Sequence, residues 1–100
     1  MRIERCRQYY KAAGEDNFDL WQRVFATVNL IDDRMVIEYN HDGVSYQWVG
    51  NKDIDGIYHL SGHNMNTRNP IGTAHMFNTG KEIIGPCTED GWYGEWKIIL

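Results

Sequence analysis

The sequence predicts an α+β domain, mainly β, in which an N-terminal helix packs on a curled antiparallel meander of about six to seven strands. Three observations carry that expectation. Apolar and polar residues alternate through most of residues 24–100, the period of a half-buried strand. Turn signals ("DD" at 32–33, "DG" at 42–43, "TG" at 79–80, "EDG" at 89–91) punctuate that region. Ahead of it, Ile3, Cys6, Tyr10 and Ala13 recur at helical spacing and Gly14 follows as a stop.

The helix is expected over residues 2–13, and a further helical turn is allowed at 17–23 within "DNFDLWQRVF". From 24 onward register decides. If 32–33 and 42–43 are two-residue hairpin turns, Val28 faces Ile37, which faces Trp48; Leu30 faces Met35; Ala26 faces Tyr39, which faces Tyr46. The apolar residues of strands 24–31, 34–41 and 44–49 then share one face, and a slip of one residue would scatter them. Strands 57–63, 72–78 and 81–85 follow. Pro86 and the 89–91 turn separate them from a last strand, in which Trp92, Trp96, Ile98 and Leu100 alternate with Tyr93, Glu95, Lys97 and Ile99. One hundred residues make a single domain, 1–100, with a helical segment at 1–23 and the meander at 24–100.

Composition narrows the function classes. Hydrophobic residues are 42% and charged residues 24%, as in soluble globular chains. The longest apolar run is three residues, so no membrane span is expected, and "MRIERCRQYYKAAG" has no apolar core of a signal peptide. Cys6 and Cys87 make no disulfide framework or zinc spacing and read as free thiols in a cytoplasmic protein. Net charge is −4, split between +3 over residues 1–11 and −7 over the rest. A short basic segment on an acidic body argues against nucleic acid.

The candidate chemistry lies in "YHLSGHNMNTRNPIGTAHM", residues 58–76, with three of the four histidines. His59 and His63 would chelate from a helix, but on a strand four residues span roughly 13 Å, too far for one ion. Closing the hairpin over 64–71 instead sets Ile57 opposite Phe77, Tyr58 opposite Met76, His59 opposite His75 and Leu60 opposite Ala74. The two imidazoles then stand roughly 5 Å apart at Cβ. A two-residue turn at 79–80 pairs Phe77 with Glu82 and brings Glu82 diagonal to His75. The predicted ligand-binding face is therefore His59, His75, Phe77, Glu82 and Ile57, a mixed aromatic and polar lining suited to a small apolar or aromatic molecule. An ordinary half-exposed sheet face has the same composition, and that plainer explanation leads.

No catalytic residue, metal site or cofactor is predicted. Acidic neighbours in "PCTEDG" would raise, not lower, a Cys87 thiol pKa. No nucleophile elbow or phosphate loop occurs, and Glu89 and Glu95 have no fixed separation. Thirteen aromatics are a heavy load for 100 residues. Trp21, Phe25 and Tyr93 fall opposite the core residues of their segments and are predicted to form an interface, most simply a two-fold homodimer. The stretch "RQYYKAAGEDNFDLWQRVF" followed by "MVIEYN" resembles the opening of SnoaL-like cone-shaped α+β proteins, which implies early helices around a curved sheet. The second half has no counterpart there, and no residue role is carried over. Two functions remain: a non-catalytic domain that binds a small molecule, and a module for protein–protein contact with itself or another chain. An enzyme ranks third.

Overall fold

The computed structural model describes the backbone of residues 2–3, 6–11, 22–24 and 26–99, and the side chains of 26–91 and 93–99. Among the described residues every regular element is a strand. They are β1 (Arg2–Ile3), β2 (Cys6–Lys11), β3 (Gln22–Val24), β4 (Thr27–Ile31), β5 (Arg34–His41), β6 (Val44–Lys52), β7 (Ile57–Asn64), β8 (Pro70–Asn78), β9 (Glu82–Glu89) and β10 (Trp92–Ile99). Strands β4 to β10 form a seven-stranded antiparallel meander curled into a half-barrel. Strands β1 and β2 extend it at either edge, β1 on β4 and β2 on β10, and β3 pairs β2.

The α+β expectation is thereby corrected to all-β. No helix occurs among the described residues, and six positions of the expected helix are strand β2. The reason lies in the pattern itself. Cys6 and Tyr10, four apart, fit a helical stripe and one face of a strand equally well. What breaks the tie is non-local: β10 would otherwise present unpaired N–H and C=O groups, and β2 pairs it from Tyr93↔Lys11 to Ile98↔Cys6. The helical turn allowed at 17–23 meets strand β3 at Gln22 and Arg23; residues 17–21 lie outside the described part.

The hairpins follow their turn chemistry. Asp42–Gly43 and Asp90–Gly91 each have positive φ at both positions (50° and 78°, 48° and 84°), as two-residue type I′ turns require. Val28↔Ile37↔Trp48, Leu30↔Met35 and Tyr39↔Tyr46 are partners as expected. So are Ile57↔Phe77, Tyr58↔Met76, His59↔His75 and Leu60↔Ala74.

Two details differ. The "TG" turn is longer than two residues, with Thr79 N donating to Glu82 O, so Phe77 faces Ile84 and not Glu82. A two-residue shift leaves every side chain on its expected face but changes its neighbours. Strand β9 also runs on through Pro86 to Glu89, in place of the expected break. Pro86 has no N–H to give, and the β8–β9 ladder skips there, resuming at Ala74↔Cys87. Beside it the His75 carbonyl oxygen occupies the space where a Gly85 Cβ would stand, a close approach only glycine permits.

The concave face holds the core. Val28, Met35, Ile37, Trp48, Met76, Ile83, Trp96 and Ile98 are wholly buried, with Leu60 and Ala74 beside them. Gly62 is buried opposite Trp48, whose ring carbons lie 2.7 Å from the point a methyl group would occupy. The indole fills the space that glycine leaves.

Candidate functional site

The two faces of the meander each gather a group of chemically capable side chains. On the outer face, cross-strand pairing of β7 with β8 brings the His59 and His75 rings to 4.8 Å between centroids, edge to face. The β6–β7 turn adds a residue that strand register does not reveal. Asp53 Oδ1 accepts from Asp55 N (2.8 Å) and Ile57 N (3.0 Å), fixing the carboxylate, and Oδ2 lies 2.5 Å from His59 Nε2. The His59 hydrogen bond, followed by that of Ile57 N, holds the Asp53 carboxyl below the usual range. "DIDG" at 53–56 carries a signal: an Asp opening a Gly-bearing turn commonly bonds the backbone ahead of it.

The remaining residues of the predicted face divide. Ile57 is half-buried and Phe77 is 48% exposed, side by side on the outer surface; His59 and His75 are exposed. Glu82 lies at the start of β9, beside the 79–82 turn, where its Cα pairs with Ile99 and its carboxylate meets Lys97 Nζ at 3.8 Å. The structure thus joins His59, His75, Phe77 and Ile57 and separates Glu82 from the histidines. Of the predicted interface, Tyr93 is 58% exposed; Trp21 and Phe25 lie outside the described residues.

The concave face carries the second group, toward the end of the sheet marked by turns 42–43 and 90–91. Tyr39 and Tyr46 stack at 5.3 Å. Tyr39 lies 5.6 Å from Trp96, and Trp96 meets Trp48 edge-on at 6.0 Å. Trp48 Nε1 donates to the Tyr39 hydroxyl at 3.2 Å. Burial, with the nearby Glu89 charge second, pushes the Tyr39 phenol well above its ordinary value, so it stays neutral. Alternation from buried Cys87 and Trp96 puts Glu89 on this inner face and Glu95 on the outer one. These two carboxylates therefore do not pair.

One atom stands out. Trp96 is wholly buried, yet among the described residues its indole Nε1 has no hydrogen-bond partner. Buried donors are ordinarily satisfied, and an orphan costs about 1–3 kcal/mol. The cluster reaches solvent through the half-buried Tyr39 and Tyr46. Sequence alternation puts these residues on the core face; Trp48 and Trp96 are buried there, while Tyr39 and Tyr46 stay half-buried. That one donor would lack an acceptor depends on packing and has no sequence signal.

Among the described residues no helix is long and apolar enough to cross a membrane, and no group of three or more His, Cys, Asp or Glu side chains could hold a metal. Compared with known protein families, curated proteins and solved structures, the chain finds no match.

Proposed function

We propose that this protein is a non-catalytic binding domain for a small, flat, apolar or aromatic molecule. The ligand is taken at the Tyr39–Tyr46–Trp48–Trp96 end of the concave face, not on the outer histidine face favoured by the sequence. The observation that carries the reading is the unpartnered Trp96 N–H inside an aromatic cluster that opens to solvent through two tyrosines. Aromatic walls supply most of the contact area, and a few polar groups fix orientation. The ligand that suits them carries one hydrogen-bond acceptor, a carbonyl or phenol oxygen, which would satisfy Trp96. Among the described residues of this face no nucleophile–base pair forms, and binding accounts for their geometry better than turnover does. Two cysteines in 100 residues, far apart in sequence, make no disulfide framework, which suits a reducing compartment, and a cytoplasmic location is part of the proposal.

The test follows the indole Nε1–H resonances by NMR while a set of small aromatic carbonyl compounds is titrated in. Binding should move the Trp96 signal most, and Trp96→Phe should weaken the ligand at least about tenfold, the loss of one good hydrogen bond. A ligand that moves the outer-face histidines and leaves Trp96 untouched sinks the reading.

A second reading rests on the row Ile57–Phe77–Ile84 across β7, β8 and β9, which leaves Phe77 half-exposed between two aliphatic neighbours. A second copy of the chain is its simplest cover, since one self-complementary surface serves both halves. Sedimentation equilibrium decides it: Phe77→Ser should weaken association, and an 11.7 kDa species persisting at high micromolar concentration rules it out.

A further inference from the structure

The outer face carries a site of a different kind. We infer that His59 and His75 form a two-histidine site for a divalent first-row transition ion, with Asp53 as the group that orients His59. The pairing is built into the sheet: the residues are direct cross-strand partners, and their rings meet at 4.8 Å. The orientation is built into the turn. Asp53 is itself fixed by two backbone N–H groups, and it receives His59 Nε2 at 2.5 Å. A carboxylate that accepts one ring N–H settles the tautomer and leaves the other ring nitrogen, here Nδ1, with its lone pair available. That carboxylate–histidine relay accompanies metal-binding histidines generally and raises their basicity.

Both imidazoles are exposed, so an ion reaches them without opening the fold. The protein supplies two nitrogen ligands and water completes the shell. Imidazole favours zinc, nickel and copper over magnesium or calcium. A two-ligand site of this kind holds its ion reversibly and does not maintain the fold. Spacing along the chain rejects a His59–His63 chelate and predicts no metal here; the Asp53 contact, invisible to register, is what changes the reading. This site is independent of the concave aromatic cluster, and either can fail alone.

Zn2+ is the probe, titrated calorimetrically into the full chain at neutral pH. One ion per chain should bind, and His59→Ala and His75→Ala should each weaken it at least about tenfold. Asp53→Asn keeps the stoichiometry and weakens affinity about 10- to 100-fold, the usual effect of removing such an orienting carboxylate. His41→Ala and His63→Ala should change nothing. In parallel, paramagnetic Ni2+ should broaden the His59 and His75 ring signals first. All these side chains are exposed or half-buried, so the variants keep the fold and unchanged amide spectra confirm it. Zn2+ binding that survives in the His59→Ala/His75→Ala double variant, or no heat and no broadening up to millimolar ion, overturns the assignment.

Discussion

The inner and outer faces of β7 and β8 are made from alternate residues of the same strands, yet they are held by different physics. Tyr58, Leu60, Ala74 and Met76 point inward and are almost wholly buried. There stability is packing, and any polar atom must be satisfied. His59, Ser61, Thr73, His75 and Phe77 point outward and stay largely in solvent. A contact such as Asp53–His59 adds little stability there, so chemistry can be placed on that face at small cost. The inner face lacks that freedom, which makes Trp96 Nε1, an unsatisfied donor among the described residues, informative. An exposed histidine by itself says much less.

The contrast can be broken first at Trp48. Trp48→Ala should cost about 3–5 kcal/mol, the cost of an unfilled core cavity, measured by denaturant unfolding. A loss under about 1 kcal/mol would mean that the indole is not the centre of the core. Next in size is Tyr39→Phe. It deletes the acceptor of the Trp48 N–H and should cost about 1–3 kcal/mol. The same change reports on alkali. Because folding raises the Tyr39 pKa, its stabilising effect is complete below the ordinary tyrosine value and is lost as pH rises beyond about 10. Wild type should therefore weaken in alkali more steeply than Tyr39→Phe.

A smaller effect separates the two buried tryptophans. Trp48→Phe removes a made hydrogen bond, while Trp96→Phe removes an unmade one. Both trim the same ring, so Trp96→Phe should be milder by about 1 kcal/mol. Equal losses would show that Trp96 has a partner after all. The outer face should give the smallest change. His59→Ala should alter stability at neutral pH by less than about 1 kcal/mol, yet raise the Asp53 carboxyl toward its ordinary value in a carbon-detected NMR titration. The sign is fixed: a carboxyl whose folded pKa is lowered stabilises above its unfolded value, and that contribution is lost as acid takes pH below it. The variant should accordingly show a shallower acid dependence than wild type.

The strand meander and its faces are legible in the sequence because they depend on local signals. Alternation has period 2, Asp–Gly dipeptides accept positive φ, and together they place Val28, Ile37 and Trp48 in one row and His59 beside His75. Cys6 and Tyr10 illustrate where such signals fail. Their spacing satisfies helix and strand alike, and the outcome turns on the edge of β10, a partner more than 80 residues away in sequence. Other features are likewise left to tertiary structure. The longer 79–82 turn moves Glu82 away from His75. The 53–57 turn delivers Asp53 to His59, and the packing leaves Trp96 Nε1 without an acceptor among the described residues. Each is a meeting of atoms from separate segments, decided by loop geometry and packing to fractions of an ångström. Periodicity fixes which way a side chain points; only the closed set of contacts fixes what it meets.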